Sequence, residues 1–143
     1  MIRDAIEKLI RPAELGHAHC DLPCGVYDPA QARVEAESVR AIQERYQKAE
    51  QFKTPGETVE DYKARCLAIK ELRADMVKEH LWVLWTDYFK PEHLAKHAQL
   101  HDLFWKATKE AGLAKKSQDP AQGKKLLDAI AEIDKIFWET KKG

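Results

Sequence analysis

The sequence offers neither a net positive field nor a long apolar run. Lysine plus arginine equals aspartate plus glutamate, at 24 residues each. The basic field that dominates nucleic-acid affinity is therefore absent. No uninterrupted apolar run approaches the ~20 residues that a membrane-spanning helix needs. We therefore expect neither nucleic acid nor a membrane as a partner.

Cysteine is scarce as well, since the chain has only Cys20, Cys24 and Cys66. An odd and small set of cysteines excludes a disulfide-built scaffold. A secretory signal needs an unbroken apolar region of ~7 to 15 residues, and charged side chains interrupt every apolar stretch within residues 1–18. Together these absences favour a cytoplasmic protein with specialised thiols.

Strand-like alternation is also missing, and helical periodicity takes its place. The 143 residues fit one domain. Four dipeptides that end in proline are candidate helix starts. They are Asp28-Pro29, Thr54-Pro55, Lys90-Pro91 and Asp119-Pro120. Asp and Thr are good N-cap residues, and proline suits the first helical position. Thr54 with Glu57 also forms a capping-box pattern. The four dipeptides predict four helices.

Apolar residues spaced by three or four support this count. The predicted stripes are Val39, Ile42 and Tyr46; Cys66, Ile69, Met76 and Val83; Leu100, Phe104, Ala107 and Ala111; and Leu126, Ile130, Ile133 and Phe137. Helices with such stripes, joined by short turns, bury them most simply in an up-and-down bundle. We therefore predict an all-α, up-and-down four-helix bundle that follows an irregular N-terminal segment.

That segment, residues 19–28, is called the hook here. It is rich in proline and glycine and carries two of the three cysteines. The Cys20/Cys24 pair is a modest metal signal, and a structural zinc site would need four ligands. Thiolates beside the imidazole of His19 favour nickel(II) or copper(II) in a planar nitrogen and sulfur field. On spacing alone, a redox dithiol or two ordinary loop cysteines remains open.

Two charged residues fall on predicted apolar stripes. Glu35 lies one turn before Val39, and Arg73 lies between Ile69 and Met76. Buried charges need partners, and these two have opposite signs. They form a candidate buried pair, with a purely structural salt bridge or snorkelling side chains as the alternative.

Four separated segments carry a family resemblance, and together they cover nearly all the chain after Ala18. They are HCDLPCGVYDPAQARVEAESV, AIKELRADMVKEH, LWVLWTDYFKP and IDKIFWETKK. They resemble nickel-containing superoxide dismutases. The resemblance implies a homohexamer of four-helix bundles with one nickel ion per subunit. The nickel would cycle between Ni(II) and Ni(III) while superoxide becomes oxygen and hydrogen peroxide.

The resemblance also implies the nickel ligands. They would be the amine and imidazole of His19, the backbone amide nitrogen and thiolate of Cys20, and the thiolate of Cys24. A ligand amine must be a free chain terminus, but the nitrogen of His19 is bonded to Ala18. We therefore expect residues 1–18 to be a propeptide. A maturation protease would cut between Ala18 and His19 and leave a bundle domain of residues 19–143.

Supporting residues follow from the same resemblance. Glu35 and Arg73 are expected to touch His19 and fix its imidazole, as second-shell partners do in metal sites. The residues expected in or against the hook are Asp21, Tyr27, Tyr88 and Lys90. Tyr27 would border the open face of the nickel, and Lys90 would attract the superoxide anion. The Leu22–Pro23 peptide bond is expected to be cis.

Other residues look functional but are interpreted as structural. His93, His97 and His101 repeat every four residues, and without thiol or carboxylate partners at known spacing we interpret them as a solvated or interface stripe. Cys66 is predicted to be a small buried side chain. The four tryptophans are predicted as core or subunit-interface anchors, namely Trp82, Trp85, Trp105 and Trp138.

Two other functions remain open at this point. One is a nickel or zinc carrier with the same hook but no turnover. The other is a helical interaction module that keeps its partner binding when Cys20 and Cys24 are replaced.

Overall fold

The computed structural model describes residues 24–142, and every regular element within them is helical. The α-helices are α1 (Ala30–Gln47), α2 (Ala49–Phe52), α3 (Val59–Val83), α4 (Pro91–Lys96), α5 (Leu100–Lys116) and α6 (Pro120–Lys142). A π-helical turn, Leu84–Tyr88, continues α3. None of the helices in this part of the chain is both long and apolar enough to cross a membrane.

The four long helices pack as a bundle. Helix α1 lies against α3 and α6, and α5 lies against the same two helices from the other side. One continuous core of buried apolar side chains fills the space between them. The predicted all-α four-helix bundle is therefore confirmed.

Two of the predicted helix starts agree with the structure. The Asp28 carboxylate accepts a hydrogen bond from the backbone N–H of Ala30 at 2.8 Å, at the start of α1. At the start of α6, the Asp119 carboxylate accepts from the N–H of Ala121 at 2.9 Å. Each aspartate satisfies a backbone donor that the first helical turn leaves unpaired.

The predicted start of the second helix at Thr54-Pro55 is wrong. Helix α3 begins at Val59, and Thr58 Oγ1 accepts from the N–H of Asp61 at 3.0 Å. Gly56 has φ +86°, so the chain cannot be helical there. The predicted Thr54–Glu57 contact does form, at 3.0 Å, but it closes a turn before the helix.

The predicted start at Lys90-Pro91 is only partly right. It opens the short helix α4, which ends at Lys96. His97 follows with φ −130° and ψ 70°, outside the helical region, and the long helix α5 begins three residues later. The three histidines of the predicted stripe therefore do not share one helix.

The predicted stripes of α5 and α6 are confirmed, because each of their residues is buried. The stripe of α3 is wrong at Ile69, which is 46% exposed. The buried line of α3 passes instead through Cys66, Lys70 and Leu81. Cys66 is buried as predicted.

The buried ammonium of Lys70 is explained by the end of α5. The last carbonyls of a helix have no partner within it. Lys70 Nζ donates to the carbonyls of Lys115 and Ser117, both at 2.7 Å. Gln43 Nε2 donates to the carbonyls of Ala114 and Ser117, at 3.3 and 3.0 Å. Side chains from α3 and α1 thus cap α5 inside the bundle.

Lys70→Met is expected to lower the free energy of unfolding at neutral pH by about 1–3 kcal/mol, because it removes two hydrogen bonds from a charged donor at the end of α5 and leaves the Ser117 carbonyl only its bond from Gln43. Burial lowers the pKa of the Lys70 ammonium. Between that folded-state pKa and its ordinary value, the folded protein binds fewer protons than the unfolded chain. The stability advantage of the wild type over Lys70→Met should therefore grow as pH rises through this interval.

Denaturant unfolding of both proteins over a pH series measures this difference. Lys125→Met, at an exposed position on α6, serves as the control and should change stability little at any pH. A constant or shrinking gap between wild type and Lys70→Met would contradict the buried cap.

Candidate functional site

The described part of the hook runs from Cys24 into α1. Gly25 has φ +71°, a conformation that favours glycine, and it turns the chain tightly after Cys24. The Cys24 thiol is exposed, and its sulfur accepts a hydrogen bond from the N–H of Val26 at 3.5 Å. The same sulfur lies 3.9 Å from the Val26 carbonyl oxygen, to which its thiol can donate. Cys24 is therefore accessible as a sulfur ligand.

The other predicted ligands, His19 and Cys20, lie outside the described residues. So do Asp21 and the Leu22–Pro23 peptide bond. Their roles stay predictions.

Two tyrosines meet where the hook joins the bundle. The rings of Tyr27 and Tyr88 have centroids 5.8 Å apart, and both rings are half-buried against the core. Tyr88 is the last residue of the π-helical turn. Such turns are frequent at functional sites. The structure thus brings together two of the predicted site residues, one from the hook and one from the bundle.

Lys90 lies two residues after Tyr88 and is exposed. Its backbone N–H donates to Nδ1 of His93 at 3.2 Å, which closes the first turn of α4. This turn keeps the Lys90 backbone beside the aromatic residues Tyr88 and Phe89. An exposed ammonium two residues after Tyr88 is consistent with attraction of an anion.

Glu35 of α1 and Arg73 of α3 are also in contact. Arg73 Nη1 donates to both carboxylate oxygens of Glu35, at 3.1 and 2.9 Å. Glu35 is only 8% exposed, whereas the Arg73 side chain is 40% exposed. The expected pair therefore forms, but only its Glu35 side is buried. Whether it reaches His19 lies outside the described residues.

The three histidines of the predicted stripe have different nearest partners, although His93 and His97 line one cavity. His93 stacks on Tyr88 with centroids 5.5 Å apart, and His101 packs against Trp85 at 5.8 Å. His97 Nδ1 lies 3.9 Å from a carboxylate oxygen of Glu139. Between residues 24 and 142, no three His, Cys, Asp or Glu side chains are grouped to hold a metal ion.

The tryptophans depart from the core expectation. Trp82, Trp105 and Trp138 are 52%, 62% and 45% exposed, so none of them is a core residue. Trp85 is half-buried and packs on Phe104 with centroids 5.0 Å apart. For these three tryptophans, the prediction that they are subunit-interface anchors remains.

Sequence reasoning missed Thr140 at this site. Its hydroxyl oxygen lies 2.8 Å from the hydroxyl of Tyr88. The neighbouring Lys141 places its ammonium 5.1 Å from the Tyr88 ring centroid. The only sequence signal was indirect, because both residues belong to the segment IDKIFWETKK, which carried part of the resemblance.

A family model described as nickel-containing superoxide dismutase matches residues 14–141. Two relatives named superoxide dismutase [Ni], from Streptomyces coelicolor and Streptomyces seoulensis, are each 53% identical over 137 residues, which is 96% of this chain and 98% of theirs.

Solved structures agree with these relatives. A native nickel superoxide dismutase is similar with a TM-score of 0.78 and 54% identity, over 87% of this chain and 100% of its own. Another, with nickel ligation corresponding to the oxidized state, has a TM-score of 0.77 and 55% identity over the same shares. A third, with ligation after partial X-ray-induced reduction, has a TM-score of 0.79 and 55% identity, again over the same shares.

Proposed function

The chain belongs to the nickel-containing superoxide dismutases, and on that premise we propose how its hook performs the reaction. Its substrate is superoxide and its cofactor is nickel. In the proposed reaction, two superoxide anions and two protons give one oxygen and one hydrogen peroxide. The hook acts only after proteolysis has exposed the amine of His19.

The donor chemistry of the chain fits nickel. Within the described residues, Cys24 presents an exposed sulfur next to a backbone N–H donor. Together with His19 and Cys20, it supplies the soft sulfur and nitrogen donors that suit a planar nickel site. Bound there, nickel would supply one-electron transfer by alternating between Ni(II) and Ni(III). Relatives solved with nickel ligation for an oxidized and a partly reduced state support this part of the proposal.

The residues around the hook orient the metal ligands and attract the substrate. In the proposal, the Glu35–Arg73 pair orients the imidazole of His19, as carboxylates do for ligand histidines. Tyr27 borders the approach to the metal, Asp21 helps to shape the hook, and Lys90 attracts the superoxide anion. The exposure of Lys90 and the fixed Glu35–Arg73 geometry support these roles.

We also propose that residues 1–18 are a propeptide. The lengths of the matches support this. The alignment with the curated relatives spans 96% of this chain. The alignment with the native solved structure includes all of that structure's chain but only 87% of this one. The part of this chain left out of the second alignment is about as long as residues 1–18. A protease that cuts between Ala18 and His19 would then complete the ligand set.

Assembly and location belong to the same proposal. A homohexamer would cover exposed indoles, and aromatic side chains are enriched in subunit interfaces. Trp82, Trp105 and Trp138 are the available anchors. The charged interruptions of residues 1–18 support a cytoplasmic location.

The test compares two chains that differ by one residue, one starting at His19 and one starting at Ala18. Both are loaded with nickel, and metal content and superoxide disproportionation are measured. The chain that starts at His19 should hold one nickel per subunit and be active. The other should lose activity to background, because its amine ligand is blocked.

Two results would contradict the proposal. Full nickel loading without turnover in the chain that starts at His19 would favour a nickel or zinc carrier. Equal activity of both chains would remove the amine from the ligand set. An interaction module would instead keep partner binding in a chain that lacks both hook cysteines.

A further inference from the structure

Tyr88 lies between the hook and the last turn of α6. Its hydroxyl oxygen is 2.8 Å from Thr140 Oγ1, and by distance alone either atom could donate. The hydroxyl of Thr140 also lies 2.7 Å from the carbonyl oxygen of Phe137. Two oxygens this close need a proton between them, and a carbonyl cannot supply it.

The direction of both hydrogen bonds follows from the number of protons that the two hydroxyl groups can donate. A threonine hydroxyl has one proton, and Thr140 uses it in the hydrogen bond that it donates to the Phe137 carbonyl. Thr140 can then only accept from Tyr88. The proton of Tyr88 therefore points towards α6, and its oxygen is left as an acceptor for any other neighbour.

The ring of Tyr88 is held from several directions. Phe137 packs on it with centroids 4.4 Å apart, and His93 stacks on it at 5.5 Å. The ammonium of Lys141 lies 5.1 Å from its centroid, within cation–π range. Tyr27 of the hook completes the surroundings at 5.8 Å. Because the ring is enclosed in this way, the partner of the hydroxyl decides where the proton points.

We propose that Thr140 is a positioning residue for the superoxide reaction. By accepting the hydrogen bond from Tyr88, it leaves the lone pairs of the Tyr88 oxygen to accept from groups that approach from the hook, whose Tyr27 ring lies 5.8 Å from the Tyr88 ring. Any water or protonated product beside the hook would then be oriented by donating to Tyr88. This role rests on the proposed superoxide chemistry, whereas the direction of the Tyr88 hydrogen bond does not.

The test uses Thr140→Val and Thr140→Ser, each in the wild-type and Tyr88→Phe backgrounds. Valine keeps the shape of threonine but cannot accept, so kcat/KM should fall about five- to tenfold, the factor expected for one neutral hydrogen bond. Serine should restore it. In the Tyr88→Phe background no hydroxyl remains to be oriented, so Thr140→Val should change kcat/KM no further.

A second readout needs neither metal nor turnover. The Raman doublet of tyrosine reports whether its hydroxyl donates or accepts. In the metal-free protein, Thr140→Val should shift this doublet, and Thr140→Ser should not. The shift should disappear in the Tyr88→Phe background, which assigns it to Tyr88 among the four tyrosines.

The outcomes separate the inference from the proposed function. An unchanged doublet in Thr140→Val would overturn the assigned direction. An equal loss of activity in both backgrounds would show that Thr140 acts independently of the Tyr88 hydroxyl, and would overturn the positioning role. If the wild-type chain that starts at His19 has no superoxide turnover, the proposed function fails, and the doublet still decides the hydrogen bond.

Discussion

Cys24→Ser is expected to abolish nickel binding and superoxide turnover while leaving the melting temperature nearly unchanged. A serine hydroxyl does not give up its proton as a thiol does, and it is a harder donor than nickel prefers. Changes to residues that merely support a metal ligand already cost 10–100-fold in affinity, so loss of a direct ligand should exceed about 100-fold. Because Cys24 is exposed and outside the core, the bundle should stay folded.

Cys66→Ser is the matched control. Cys66 is buried in α3, and this burial raises the pKa of its thiol. Burying a serine hydroxyl there should cost about 1–3 kcal/mol of stability, with nickel content and activity per folded chain unchanged. Metal analysis and thermal unfolding of both variants distinguish the two thiols. Nickel retained in Cys24→Ser, or lost in Cys66→Ser, would place the sulfur ligands elsewhere.

The sequence predicts the bundle and the Glu35–Arg73 pair well because both follow from local rules. Apolar residues at helical spacing tend to be buried, as all predicted stripe residues of α5 and α6 are, whereas Ile69 on α3 departs from this at 46% exposure. A charge on such a stripe must find a partner. Glu35 is buried, whereas Arg73 lies beside the buried line of α3 and is partly exposed. The two lie on facing helices with opposite charges and form an ion pair.

Other features depend on tertiary contacts that periodicity does not contain. Lysine is normally exposed, and the burial of Lys70 makes sense only once the end of α5 lies beside it. Thr54 and Thr58 are both acceptable caps, and the backbone of Gly56 decides between them. Thr140 could not be found from spacing, because its function depends on Tyr88, which is distant in sequence.

Gly123→Ala is expected to destabilise the protein by about 1–3 kcal/mol, although alanine is the better helix former. A Cβ at position 123 would lie 2.8 Å from Cβ and 2.9 Å from Cα of Arg40, and closer still to Oε1 of Gln43. Arg40 Cα is backbone, so it moves only with α1. Gln43 cannot swing aside without breaking its hydrogen bonds to the end of α5. The melting temperature should fall by roughly 3–10 °C.

Gly112→Ala provides a control with the opposite sign. A Cβ there would meet only the flexible end of Lys78, at 3.5 Å from Nζ and 3.8 Å from Cε, which is ordinary contact. The substitution should therefore raise stability by up to about 1 kcal/mol through helix propensity alone. Denaturant unfolding of the two variants compares the same chemical change on neighbouring helices. Stabilisation by both would mean that α1 can move away from α6, and that the close approach at Gly123 does not constrain the bundle.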